Sequence, residues 1–547
     1  MRRALASVAT LGLLGTFLLA VILGVMVATG TVNAVVAVAL VVLVNLAVLL
    51  FRPRLNDFIY GWLYDLEWIT LEELRRRSPR SVEVIEEVTA EYGYDAPRVG
   101  VIPDRNPTAF TYGSARYNAR VVFTEGCEEF LDDDELASVV AHELGHVTSR
   151  DFVVMTVANT IVQVLYLLAI YSRRIAAAGQ SSSNRRGNAA APLFAVAALS
   201  YLLWYVGEYA VLFLSRVREY AADGFSAAYT HPDDLSNALV KIALGIVTTE
   251  DSPELARATR NIGIMSVAES KEKGVLYYTA REFGDRAPLL QAFLFDLHSP
   301  WATLLELGST HPLTGKRVRA LSREEGATAF DFEEIERRFE VDRWRLYVEF
   351  LRDLAVVALP TLLAVGYPLG YLGLAVTGTV ELDLVLLVGG WPAVVGLAML
   401  ARALYRYPPG EAEATTVVEL LGDVYASPVR GRRARLEGEL IGRGQAGYRF
   451  SEDLLFRDDT GLMYLKYDSW LPLLGDLLFA VRRVPGLIGE RVAVEGWYLR
   501  GTTTWLGLRS IDTDDERIRG FVNLGSVVAG LLLLVLGAAL LGFRFLA

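Results

Sequence analysis

Long uncharged apolar runs constrain this chain more than any other feature. They span Ala4–Thr29, Val32–Phe51, Phe152–Tyr171, Ala191–Leu214, Leu354–Val376, Leu384–Leu404 and Phe521–Phe543. A bilayer core about 30 Å thick takes about 20 apolar residues in helical form, so each run is an expected membrane helix. Of 547 residues, 53% are hydrophobic and 21% charged; soluble domains average roughly 45–50% and about 25%. A wholly soluble or a disordered chain is thereby excluded. The first run is longer than the roughly 7–15 apolar residues of a signal peptide and a second run follows at once, so it reads as an anchor.

Basic flanks give the expected sidedness. Arg2, Arg3, Arg52, Arg54 and Arg75–Arg77 place the N-terminus and the segment after the second run in the cytoplasm of a multi-pass plasma-membrane protein. One loop conflicts. Residues 172–190 carry Arg173, Arg174, Arg185 and Arg186, yet alternation puts them outside. Either the rule is overridden there, or the third and fourth segments do not cross fully. The single cysteine, Cys127, excludes a disulfide scaffold, and a net charge of −11 argues against a nucleic-acid partner.

Two water-facing regions remain. Residues 52–353, interrupted at 152–171 and 191–214, are charged and helical in pattern. Within them Ser322–Arg352 sets Phe332, Ile335, Phe339 and Trp344 at helical spacing, which predicts one amphipathic helix. Residues 410–520 read as β: Arg491–Arg500 alternates in part, and Leu454–Tyr467 breaks at Asp458-Asp459-Thr460-Gly461, a turn between two strands. The expected architecture is a mainly α integral membrane protein. It has two helices in 1–51, the 52–353 domain, two helices in 354–404, a small OB-like β domain in 410–520 and a last helix in 521–547.

The chemistry concentrates in His142-Glu143-Leu144-Gly145-His146. Asp132 followed by Glu135 predicts a capping box opening a helix that runs to Arg150. Residues four apart share a helix face, so His142 and His146 can present imidazoles to one cation, with Glu143 beside them to take a proton from water. Only five histidines occur in the chain, which argues against chance. A catalytic zinc keeps three protein ligands and an open position, so a third ligand is required. Glu219 in Ser215–Asp223 is the best candidate: Glu219 and Asp223 share a helix face, one to ligate and the other to orient a ligand imidazole. His146 lies six residues before the third run and Glu219 five after the fourth, which sets the metal near the cytoplasmic membrane face. Taken alone, His311 in Ser309-Thr310-His311-Pro312 reads as a turn residue.

The order HELGH, SRVREYAAD, then STHP with Arg317 six residues past the histidine resembles the HtpX-like family of membrane zinc metalloproteases. The same order recurs in the related CAAX prenyl proteases. Asn106–Gly113 with Val121–Thr124 resembles that family's segment for pairing with an extended substrate. The likeness covers about residues 1–325. It implies a gluzincin-type metalloprotease domain holding one Zn2+ per chain through His142, His146 and Glu219. It further implies Glu143 as general base, Asp223 behind the ligands with Arg317 nearby, and His311 as transition-state stabiliser. Ala109, Phe110 and Thr111 would lie beside the peptide. The expected function is an endopeptidase acting on membrane or misfolded proteins at the cytoplasmic face, in protein quality control. Prenylated-peptide substrates, or a non-enzymatic adaptor acting through the β region, stay open. Polypeptides and the lipid bilayer are the expected partners. The resemblance does not reach the last three runs or the β region.

Overall fold

The computed structural model describes residues 34–180, 187–248, 287–444, 451–501 and 504–546. The first expected membrane helix, Ala4–Thr29, lies outside them. Five described helices are long and apolar enough to cross a membrane: Val38–Leu63, Asp151–Arg174, Phe194–Tyr229, Leu384–Arg406 and Leu524–Gly542. All five fall on expected runs. Leu354–Val376 is also helical, as the distal part of Arg343–Val376 with Pro360 and Pro368 inside it, but it is not one of the five.

The chain divides into two compact units, Met1–Gly274 with Glu306–Phe332, and Val275–Leu305 with Glu333–Ala547. The first unit begins with helix α1 (Ala34–Leu63) and a four-stranded sheet of β1 (Glu67–Ile69), β2 (Arg98–Ile102), β3 (Ala109–Tyr112) and β4 (Arg120–Thr124). Their order is β1-β2-β4-β3, with β2 and β4 parallel and β3 antiparallel on the outside. Six helices follow in interest: α2 (Pro79–Tyr92), α3 (Asp133–Thr148), α4 (Asp151–Gln180), α5 (Gly187–Tyr229), α6 (Pro232–Thr248) and α7 (Thr314–Leu321). α3 packs against α2, α5, α6 and β3, and nearly every one of its residues is buried. The expected capping box opens it: Glu135 N–H donates to Asp132 Oδ1 at 3.0 Å and Asp132 N–H to Glu135 Oε2 at 3.0 Å. Asp133, Asp134 and Glu135 load its first turn with negative charge, which the helix dipole favours. Between α1 and α4, Asn45 donates to Gln163 at 2.8 Å, a polar tie between two membrane helices.

The second unit holds a closed five-stranded barrel: β5 (Arg432–Arg443), β6 (Leu454–Arg457), β7 (Leu462–Lys466), β8 (Arg491–Arg500) and β9 (Thr504–Asp512). The ring runs β5-β6-β7-β9-β8 and back to β5, with β7–β9 parallel and all other pairs antiparallel. Alternate residues such as Ala434, Leu436, Leu440, Phe456, Leu465, Val494 and Leu508 fill its interior. The turn at 458–461 is where the sequence places it. Asp458 Oδ1 accepts from Thr460 N–H and Gly461 N–H at 2.7 and 2.8 Å, which closes the hairpin turn between β6 and β7.

The same unit holds helix α8 (Arg343–Val376) and two helices that carry candidate spans, α9 (Leu384–Arg406) and α10 (Leu524–Leu546). Glycines bring α9 and α10 together: a Cβ on Gly396 would stand 2.7 Å from Gly530 O, and one on Gly537 would stand 2.6 Å from Ala393 Cβ. The single amphipathic helix expected over Ser322–Arg352 is instead two. Phe332–Arg338 ends, and Asp342 caps a new helix by accepting from Arg345 N–H at 3.0 Å. That second helix is α8, so the expected domain boundary at 353 falls within it.

Candidate metal centre

α3 and α5 cross where both carry chemistry. Gly145 permits the approach, since a Cβ there would sit 3.2 Å from Ala222 Cα and 3.3 Å from Phe225 Cβ. Ser226 Oγ, one turn further along α5, donates to Ser138 O at 2.7 Å and fixes the crossing. The result brings one donor atom each from His142, His146 and Glu219 within 4.8 Å of one another. The two imidazole Nε2 atoms are 3.2 Å apart, and Glu219 lies 3.7 Å from one and 3.6 Å from the other.

Each ring is held from behind. His142 Nδ1 lies 3.0 Å from Asp223 Oδ1, and His146 Nδ1 lies 2.6 Å from Asp151 Oδ2. A carboxylate at Nδ1 fixes the proton there and leaves Nε2 bearing a lone pair. Two lone pairs and a carboxylate facing one another repel unless a cation lies among them. The donor set therefore fits zinc, and burial helps: it lowers the His142 pKa and keeps that imidazole neutral, the form that ligates.

Asp151 was not among the residues singled out from sequence. Its place depends on Arg150, which adopts φ 59 after the end of α3 and turns the chain so that α4 begins with Asp151 beside His146. The available signal was an acid five residues past the second histidine, followed at once by an apolar run. Arg218 pairs with the same Asp151.

The other expected residues gather at this centre. Arg317, fully buried, grips Asp223 with two bonds, Nε to Oδ2 at 2.9 Å and Nη2 to Oδ1 at 2.6 Å, and stands 3.7 Å from Glu219. His311 Nδ1 lies 3.1 Å from Glu219 Oε2, and neither of its buried ring nitrogens makes a hydrogen bond among the described residues. The loop that carries it is anchored by Arg216, whose guanidinium donates to the carbonyls of Glu306 and Ser309 at 2.9 and 2.8 Å. Glu143 is buried, with Oε2 likewise unpartnered, and burial pushes its carboxyl up to about 8. A cation beside it would draw that value back down. His231 lies beside Asp233, and His298 lies beside Glu336. Ala109, Phe110 and Thr111 form β3, the outer strand of the sheet that packs on α3, and Phe110 is buried in a cluster with Tyr60, Leu66 and Ile102.

Two facing histidines and a buried glutamate on α3, met by a glutamate from the membrane helix α5, define a membrane metallopeptidase of the HExxH type. Residues 75–325 match the model for Peptidase family M48. The protease HtpX homolog of Pyrobaculum calidifontis is 30% identical over 290 residues, 52% of this chain and 75% of that protein. The Aeropyrum pernix homolog is 31% identical over 280 residues, 50% of this chain and 81% of that protein. The crystal structure of S. mikatae Ste24p overlaps at a TM-score of 0.36 and 16% identity, covering 58% of this chain and 65% of that one. The chain belongs to peptidase family M48 and is a zinc metallopeptidase of multi-pass membrane type.

Proposed function

We propose that this M48 peptidase is an endopeptidase that cuts membrane or misfolded proteins at the cytoplasmic membrane face, in quality control. The observation that carries the reading is the convergence of His142, His146 and Glu219 beside the buried Glu143, whose Oε2 has no partner among the described residues. The three would hold one zinc per chain. When bound, zinc supplies Lewis acidity toward the scissile carbonyl and lowers the pKa of water from about 15.7 toward about 7. Glu143 takes the proton of the attacking water and returns it to the leaving amine. His311 Nε2 donates to the oxygen on which charge develops. Asp223, gripped by Arg317, and Asp151 hold the imidazoles in register.

A peptide adding a strand to the free edge of β3 would lie extended along Ala109–Thr111. The buried side chain of Phe110 limits its part to backbone pairing. α5 supports membrane-protein substrates, because one continuous helix leads from an apolar span to Glu219. The barrel's strand order, with its third and fifth strands parallel, supports an OB-like module that braces the enzyme or recruits substrate.

The test is proteolysis of an unfolded polypeptide and of a prenylated peptide by the purified chain, with and without chelator, alongside Glu143→Gln. Both changes should abolish cleavage of the unfolded polypeptide, and Glu143→Gln should keep about one equivalent of zinc, since Glu143 is no ligand. Cleavage that survives both would sink the endopeptidase reading; cleavage of the prenylated peptide alone would move the substrate class.

A further inference from the structure

The helix Leu474–Arg482, which joins β7 to β8, has two apolar faces. Phe479 and Ala480 point into the barrel, with Phe479 stacked on Tyr467 at a ring-centroid distance of 3.7 Å. On the other face Leu474, Leu477, Leu478 and Val481 repeat at i, i+3, i+4 and i+7, and all four are exposed. Trp470, Leu471 and Leu473 in the preceding turn extend the stripe, with Trp470 68% and Leu473 84% exposed. A water-facing helix puts its single apolar stripe inward. A second, outward stripe of this size marks a surface made to meet something apolar.

The turn is built to hold these side chains out. Leu473 adopts φ 69, a conformation that side chains with a Cβ rarely take. Asp476 fixes it, accepting from Ser469 N–H at 2.7 Å and from Leu473 N–H at 2.9 Å, and Ser469 Oγ donates to Leu471 O at 2.8 Å. The exposure is therefore part of a hydrogen-bonded turn and not a frayed end.

Its place in the unit decides what covers it. The barrel follows the span Leu384–Arg406 and precedes the span Leu524–Gly542, and it is bonded to the ends of both. Gly431 N–H donates to Arg406 O at 3.1 Å, Trp497 Nε1 to Pro408 O at 2.9 Å, and Phe521 N–H to Asp468 O at 2.8 Å. The last bond sets Asp468, two residues before Trp470, beside the start of the final span. Tyr407, Trp497 and Trp505 cluster at the same junction with Val522, and tryptophan and tyrosine collect where membrane meets water. Arg482 and Arg483 end the stripe, Arg483 sharing Glu516 at 2.6 Å; such cations suit a headgroup layer.

We infer that Trp470–Val481 is a lipid-docking segment, lying in the headgroup–acyl boundary of the leaflet beside the barrel and holding the barrel against the bilayer. The test uses the full chain in phospholipid vesicles with a nitroxide at Leu474→Cys or Leu478→Cys. Cys127 is buried, and burial pushes its thiol up to about 12, so it stays unlabelled. Leu532→Cys, exposed on the apolar helix α10, gives the lipid reference, and the exposed Glu437→Cys of the barrel gives the water reference. Relaxation by oxygen should dominate relaxation by a water-soluble nickel chelate at 474 and 478, as at 532, and the reverse should hold at 437. Labels at 474 and 478 that read like 437 would overturn the proposal. So would weak relaxation by both agents, with spin–spin broadening that disappears on dilution with unlabelled chain; that result assigns the stripe to a second copy.

Discussion

Asp151 and Asp223 serve two imidazoles from two different helices, and their partners differ. Asp223 is held bidentately by the buried Arg317, while Asp151 is paired with Arg218 at the start of α4. Losing a carboxylate behind a ligand histidine typically costs about 10–100-fold in metal affinity or activity. Asp151→Asn and Asp223→Ala should each weaken zinc by about that factor in a competition titration against a chromophoric chelator, with the fold intact by circular dichroism. Unchanged zinc affinity in Asp151→Asn would mean that the 2.6 Å contact to His146 does not orient the ring. His311 asks for a different readout. Its Nε2 faces no partner among the described residues, so His311→Ala should retain zinc yet lose about 10²–10³ in kcat, about 3–4 kcal/mol, with a smaller change in KM. Zinc loss would instead make it a ligand. The pairing of His142 with His146 was legible in sequence because i, i+4 spacing fixes a shared face within one helix. Asp151 was not, because its role is created by one left-handed residue, Arg150, whose turn no spacing announces.

At the scale of elements, the site exists only where α3 and α5 touch, and that contact depends on a missing side chain. A Cβ at Gly145 would already press on the Ala222 backbone, so Gly145→Val must push α5, and with it Glu219, away from the histidines. Overpacking of this kind costs about 1–3 kcal/mol. Gly145→Val should therefore lower both the melting temperature and the zinc content, and added zinc should recover less stability than in the parent chain. A variant that binds zinc normally would show that the crossing tolerates the shift. The glycine is visible in the sequence, but its purpose is not, because which helix lies across it is a tertiary fact. Membrane runs and barrel strands were legible for the opposite reason: apolar length and the turn at Asp458–Gly461 are local. The helix expected over Ser322–Arg352 failed at Asp342, where a capping side chain overrides a continuous apolar spacing.

For the whole molecule the metal centre constrains the side on which each loop lies. His146 precedes α4 and Glu219 follows the apolar part of α5, yet both reach one centre. The chain between them must leave that side of the membrane and return, or never leave it. The span Asp151–Arg174 has 24 residues, about 36 Å at 1.5 Å per residue, against a hydrocarbon core of about 30 Å. Length thus favours a full crossing, while Arg173 and Arg174 at its far end oppose the usual placement of basic loops. Arginine near a helix end can reach the headgroups, so the length argument prevails. A membrane-impermeant maleimide applied to sealed vesicles of known orientation should then label Gln180→Cys and the exposed Glu87→Cys of α2, which packs on the metal-centre helix α3, from opposite faces. The native cysteine does not interfere, because Cys127 is buried with its thiol pushed up to about 12. Labelling of both positions from one face would mean that α4 and α5 dip into the bilayer and return. The metal centre would then sit on a re-entrant pair, and its substrates would have to approach from within the membrane plane.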